Sequence, residues 1–196
     1  MISKIKLKLK RADSSPVKAA AKILYSNTIK INRFIIYELD VAKDFDIPPL
    51  DKQFTAKVIH HRDLDQYLPE DKNLPREFEI HKIHGIEHCA LVLKNNEICH
   101  ISWIFMHGDR NRWFNLKKNE ASLNYAYTLP EYRGKNFLPH AFLASVRWLR
   151  DKGVTRLLEA SHEDTIFTIK SLKKIPNIEQ TGVLVQWFIY RPKYKG

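Results

Sequence analysis

Residues 127–138 read Tyr-Thr-Leu-Pro-Glu-Tyr-Arg-Gly-Lys-Asn-Phe-Leu, and their order suits an anion cradle. A strand over 121–128 runs into a bend at Pro130 and Glu131. A short basic loop follows, Tyr132-Arg133-Gly134-Lys135, and an amphipathic helix opens over about 136–151. The first amides of a helix have no intrahelical acceptor, and the macrodipole puts partial positive charge there. A phosphate-bearing ligand is the natural occupant. The same residues would also make an ordinary exposed basic turn. The nine histidines raise the question of a metal. His81, His84 and His88 are spaced i, i+3, i+7, and His60 and His61 are adjacent. Gly85 interrupts the first set, residues 81–88 lack helical amphipathicity, and no Cys/His pair has zinc-site spacing. No metal is expected.

The elements that must position the loop can be read from pattern. Residues 34–39 are rich in strand formers, and residues 16–25 suit a helix that opens at Pro16 after Ser14 and Ser15. Asp46-Ile-Pro-Pro-Leu-Asp51 is rich in breakers, which places a domain boundary there. A basic N-terminal extension (1–50), with a helix and a strand packed on the main domain, then precedes a domain over 51–196. Residues 54–60 read as a strand, 62–68 as a short helix and 69–73 as a turn. Two strands, 88–94 and 98–106, flank Asn95-Asn96, a hairpin signal. In that hairpin Cys99 would face Val92, and Cys89 would face Ser102. Residues 108–118 form a polar loop. After the helix at 136–151, with Phe137, Ala141, Phe142, Ser145, Val146 and Leu149 at helical spacing, Gly153 is a stop signal. A strand over 154–160, a helix over 164–174 and a final strand over 181–190 complete the chain.

Residues Pro130, Glu131, Tyr132, Arg133, Gly134 and Lys135 match, in order, the acyl-CoA-binding motif of the GCN5-related N-acetyltransferase (GNAT) superfamily, which this segment resembles. Asn136 stands where the motif's next glycine is expected, and Leu138 where a second small residue is expected. A second likeness lies in 164–175, where Thr165, Thr168 and Lys174 fall on the motif's Asn, Ser and Lys positions, while Pro176-Asn177 replace its Gly-Phe. The element order after residue 54 is also that of the superfamily, in which the signature loop joins the fourth strand to the third helix. The fold class expected is therefore α/β (α+β): a mixed, mostly antiparallel central sheet with helices on both faces, plus the basic extension.

The resemblance implies acetyl (acyl) transfer from a CoA thioester to an amine, with acetyl-CoA as co-substrate and no metal. The backbone from Arg133 through Gly134, Lys135, Asn136 and Phe137 to Leu138 would hold the pyrophosphate. Tyr127, Thr128 and Leu129 end the strand that pairs with the pantetheine arm, and Thr165 and Thr168 would lie near that arm. The attacking amine must lose a proton to a carboxylate or histidine. Glu159, at the end of the fifth strand, and Glu120, at the start of the fourth, are the candidate bases, with His162 on the following loop. An amide on the fourth strand would hold the oxyanion. The superfamily often protonates the thiolate from a tyrosine in the helix after the fifth strand. That helix has no tyrosine here, so either the thiolate leaves unassisted or another group serves, with Tyr125 a candidate. Two further readings stay open: a non-catalytic GNAT-like binding module, and a membrane-associated accessory protein of envelope polysaccharide synthesis.

Composition bounds these readings. A chain of 196 residues with 44% hydrophobic content suits one domain with a small extension. No apolar run reaches the length of a membrane span, and no secretory h-region is present. Two cysteines do not make a disulfide framework, so a reducing, cytoplasmic setting is expected. The net charge of +11 is uneven: residues 1–33 hold nine Lys/Arg and one Asp, whereas the remaining 163 residues carry only +3. The basic segment suits weak contact with anionic membrane or polyanion, peripherally at the membrane. The nearly neutral body argues against specific nucleic-acid binding. A homodimer is left open.

Overall fold

The computed structural model describes residues 31–43, 45–68, 74–187 and 190–194. The expected helix at 16–25, the basic segment before it and the turn at 69–73 lie outside the described residues.

Seven strands form one sheet: β1 (Ile31–Asp40), β2 (Phe54–His60), β3 (His88–Lys94), β4 (Glu97–Phe105), β5 (Glu120–Thr128), β6 (Arg156–His162) and β7 (Ile178–Trp187). Their spatial order is β2-β3-β4-β5-β6-β1-β7, and every neighbouring pair is antiparallel except β5 and β6. The helices are α1 (Ile80–His84), α2 (Phe137–Arg150) and α3 (Ile166–Leu172), with 3-10 segments at His61–Tyr67, Arg76–Glu79 and Pro130–Tyr132. The expected mixed, mostly antiparallel sheet is what the chain forms.

Two apolar layers follow from the period-two alternation of the strands. On one face, Phe34, Ile36, Ile101, Trp103 and Phe105 pack with Leu64, Phe78 and Ile80 and with Trp113 and Phe114 of the 108–118 loop. On the other, Tyr37, Leu39, Ile104, Ala121, Leu123 and Leu157 receive Leu138, Ala141, Phe142, Val146 and Leu149 of α2 and Leu172 of α3. The helical spacing of the α2 residues is what presents them together. Ser145, buried among them, donates to the Ala141 carbonyl, which satisfies its hydroxyl.

Two expectations are corrected. Residues 31–40 are not part of an extension packed on the sheet: β1 is a strand of the sheet, hydrogen-bonded between β6 and β7. A boundary at residue 50 therefore cuts through one sheet. The cysteine register is also shifted. Asn95 and Asn96 do form the turn, with φ of 50° and 68°. However, a bulge at Cys99 pairs Val92 with His100, and Cys89 opposes Trp103. Both thiols are free and buried, as non-partners. Finally, the 108–118 loop is polar but only partly exposed, with Asn111, Trp113, Phe114 and Leu116 buried. The Asn111 carboxamide oxygen accepts from the amides of Trp113 (2.8 Å) and Phe114 (3.1 Å), an Asx-type turn that drives both rings into the core.

Candidate functional site

β5 and β6 pair only at Glu120↔Arg156, Ala121↔Leu157 and Ser122↔Leu158. Beyond those residues both strands continue, to Thr128 and His162, without pairing to each other. The sheet is thus split at its one parallel junction. β5 is buried through Asn124 and half-buried from Tyr125 to Thr128, as a strand entering an open cleft must be.

The closed end of the split is held by charge. The Arg156 guanidinium makes two hydrogen bonds to the Glu38 carboxylate (2.6 and 2.7 Å) and one to Glu120 (2.6 Å), joining β1, β5 and β6. Hydrogen bonding to Glu38 is the main cause that holds its pKa above the usual arginine value.

On its other side β5 carries a bulge. Trp103 pairs with Asn124 and Ile101 with Tyr127, so Tyr125 and Ala126 together oppose Ser102. Tyr125 has φ of 54°, a conformation a bulky side chain rarely adopts. The bulge interrupts the ladder and re-aims the tyrosine toward the Trp113 side of the sheet. There its ring packs on Trp113 (5.3 Å), His84 (5.4 Å) and Phe105 (5.9 Å).

The loop after β5 is held at both ends. The Leu129 amide donates to the Cys99 carbonyl (3.0 Å), and Arg133 Nε donates to the Thr128 carbonyl (3.3 Å). Gly134 (φ 83°) and Asn136 (φ 58°) are both left-handed, and the second steps directly into the helical residues of α2. A left-handed residue followed by a right-handed one, as at Asn136 and the first residue of α2, turns successive amides toward one side, the geometry of an anion nest. The amides of Gly134, Lys135 and Asn136 donate to no backbone carbonyl among the described residues. Lys174, just past α3, donates to the Asn136 side chain (2.6 Å). Phe137 is buried against Phe54 (4.9 Å), and Leu138 is buried against the sheet under α2. Both side chains thus pack into apolar clusters, Phe137 with Phe54 and Leu138 beneath α2.

Comparison with solved structures matches the fold. A tandem GNAT protein from the clavulanic acid biosynthesis pathway aligns at a TM-score of 0.55 and 12% identity, over 89% of this chain and 58% of its own. A GNAT-family protein from Novosphingobium aromaticivorans aligns at 0.52 and 11%, over 80% of this chain and 63% of its own. The chain has the GNAT fold. An aminoglycoside acetyltransferase from an uncultured soil metagenomic sample, solved with trehalose, aligns at 0.52 and 11%, over 73% of this chain and 99% of its own. The chain spans less than two thirds of the length of the first two neighbours. No protein-family model and no curated protein matches the sequence.

Within the GNAT fold the expected site residues separate into two groups. Tyr127, Thr128 and Leu129 border the split, and Arg133 to Asn136 form the loop at its mouth. Tyr127 also packs on Phe78, and the Arg133 guanidinium lies 5.7 Å from the Tyr127 ring. Thr165 is the N-cap of α3, but its hydroxyl bonds Ser161 Oγ (2.9 Å) and the His162 carbonyl rather than the helix amides. Thr168 lies half-buried one turn on.

The carboxylates are corrected. Glu120 is engaged by Arg156 and accepts from the Lys117 amide (3.0 Å) at the closed end of the split, away from its open mouth. Glu159 does not end its strand and does not pair with Arg156. It opposes Tyr37 across the β1–β6 ladder, on the α2–α3 face, and makes no hydrogen bond with a described residue. Burial pushes its pKa well above the usual carboxylate range. His162 belongs to β6, packed edge-on to Phe34 (5.2 Å), and is not a solvated loop histidine.

The Glu159 environment has a stability consequence. A carboxyl whose folded pKa is raised contributes stability that is present below its unfolded pKa and lost as pH rises. Glu159→Gln keeps the shape without the ionisation. The variant is expected to be more stable than the parent at pH 8, with the gain shrinking toward pH 4, read from urea midpoints at both values. An equal effect at both pH values would contradict the burial argument.

Sequence reasoning missed three residues that the fold makes prominent: Arg156, His84 and His100. His84 ends α1, and Gly85 behind it is left-handed (φ 69°) and returns its amide to the His81 carbonyl. That glycine was the legible signal for a helix end. His100 is buried under α2's face of the sheet, with Nδ1 at 2.8 Å from Thr128 Oγ1 and Nε2 at 2.8 Å from Ser102 Oγ. No group of described residues is arranged to hold a metal ion, and no described helix is long and apolar enough to cross a membrane.

Proposed function

We propose that the protein transfers an acetyl group from acetyl-CoA to an amine of a small molecule or amino sugar, by direct attack in a ternary complex. The observation that carries this reading is the split between β5 and β6, opening beside a loop whose amides at 134–136 have no backbone partner among the described residues. In this reading Gly134 to Leu138 bind the diphosphate, with Lys135 and Lys174 adding positive charge. The stretch of β5 from Leu123 to Thr128, paired to β4 but open toward β6, receives the pantetheine arm on that open side. Main-chain amides released from the ladder by the bulge at Tyr125 stabilise the oxyanion. The acceptor enters from the Trp113 side.

Acetyl-CoA is expected to raise the unfolding free energy by about 2.7 kcal/mol at a hundredfold excess over its Kd. Gly134→Val, which forces a β-branched residue into a left-handed turn, should abolish that thermal shift while the free protein still melts cooperatively. No shift with acetyl-CoA or longer acyl-CoAs would refute the proposal. The absence of a tyrosine in α3 favours a second reading, a binding module that holds the thioester without turning it over. A panel of amino sugars, amino acids and peptides, read by free thiol release, separates the two.

A further inference from the structure

We propose that Tyr125 and His84 form a proton relay in which Tyr125 touches the acceptor amine and His84, acting through it, holds the proton. This rests on the acyl-transfer reading above and supplies the base that neither Glu120 nor Glu159 provides.

The geometry is directional. His84 Nδ1 lies 3.0 Å from the Arg110 carbonyl, which can only accept, so the ring proton is on Nδ1. Nε2 is then the lone-pair nitrogen, and the Tyr125 hydroxyl, 3.3 Å away, donates to it. The residues are 41 apart in sequence and are brought together by the bulge that turns Tyr125 over and by the left-handed Gly85 that ends α1 at His84. Tyr125 sits three residues beyond the last β5–β6 pair, half-exposed, where the cleft opens.

Asn124 Oδ1, on the strand residue before Tyr125, and Trp113 Nε1, on the ring that packs against Tyr125, are buried with no hydrogen-bond partner among the described residues. The Arg112 guanidinium lies against the Phe34 and Trp113 rings, at 5.4 and 5.5 Å, and donates to Gln186 Oε1 (3.4 Å). The charged groups acting on Tyr125 are Arg112 from the loop and Arg76 from the 3-10 segment before α1, and both favour loss of a proton nearby. Burial opposes them and keeps the phenol neutral at rest.

The step balances as follows. The acceptor ammonium gives a proton to Tyr125 Oη as that oxygen passes its own proton to His84 Nε2, leaving a neutral phenol and an imidazolium. The freed amine lone pair attacks the thioester carbon, the C–N bond forms and the C–S bond breaks. The second amine proton goes to the departing thiolate, and His84 returns its proton to solvent.

Tyr125→Phe and His84→Gln test the pair. Transfer from acetyl-CoA to the amine panel is measured from pH 6 to 9, beside acetyl-CoA binding by calorimetry and the His84 ring tautomer by long-range proton–nitrogen NMR. Both variants are expected to bind acetyl-CoA as the parent does and to lose about 10²–10⁴-fold in kcat/KM. The parent's fall in rate on the acid side should disappear in His84→Gln. NMR should find the proton on Nδ1. An unchanged acid limb in His84→Gln, a proton on Nε2, or bound acetyl-CoA with no amine acetylated would each overturn the relay. Failure of the parent to bind acetyl-CoA would instead overturn the transferase reading on which it rests.

Discussion

Replacing Arg156 with methionine is expected to lower the unfolding free energy by about 3 kcal/mol, the low end for breaking a buried ion pair. The guanidinium is 27% exposed and Glu38 25%, but the Glu120 carboxylate is only 5% exposed. Removing the arginine leaves Glu120 with the Lys117 ammonium at 3.6 Å, itself 66% exposed and well hydrated. The cost is that of a desolvated carboxylate stripped of its partner, more than the loss of attraction itself. The double variant Arg156→Met/Glu120→Met removes both charges and should recover much of the loss. Urea midpoints at constant slope measure both. Because Arg156 closes the apex of the split, the single variant should also weaken acetyl-CoA binding although it lies away from the loop. A change within 0.5 kcal/mol, or an additive double variant, would show that the network is not holding the junction.

Acidification should unfold the protein between pH 6 and 4, and His100 should be the largest single cause. Burial lowers its pKa from the ordinary 6.5 to about 3. His88 and His81 are lowered in the same direction, each chiefly by burial, with neighbouring histidines contributing. For a group whose folded pKa is depressed, the stability is fully present above the unfolded pKa and is lost as pH falls toward the folded one. The unfolded chain takes up the proton first. By pH 4, His100 alone removes on the order of 3 kcal/mol at 1.36 kcal/mol per unit, against a typical total of about 5–15 kcal/mol. Glu159 acts oppositely, since its raised pKa favours the folded state at low pH. His100→Gln retains donors and acceptors for Thr128 and Ser102 without an ionisation. Its midpoint should vary much less between pH 6 and 4 than the parent's. A parent midpoint that is flat over that range would remove the argument.

Much of the site's scaffold was legible before any coordinates. The strand–loop–helix from Glu120 to Arg150 was expected within a residue or so at each end, because Pro130, Gly134 and the α2 spacing are strong local signals. The loop's left-handed residues were less so: Gly134 is expected, but Asn136 carries its positive φ because Asn tolerates it, a weaker signal than glycine. The carboxylates were misjudged for a different reason. Glu120 and Glu159 look alike in sequence, and only their neighbours across the sheet distinguish an ion-paired group from a buried one without a partner.

The amino-acid order by itself determined the strands after residue 54, the Asn95-Asn96 turn, the amphipathic face of α2 and the basic loop before it, since these depend on φ preferences and periodicity over a few residues; the short helix α1 was not legible. Tertiary structure decided the rest. β1 enters between β6 and β7, bulges form at Cys99 and Tyr125, β5 and β6 part after Ser122, and His84 meets Tyr125. Each is a matter of strand register and long-range packing, where one residue of slip turns every side chain to the other face.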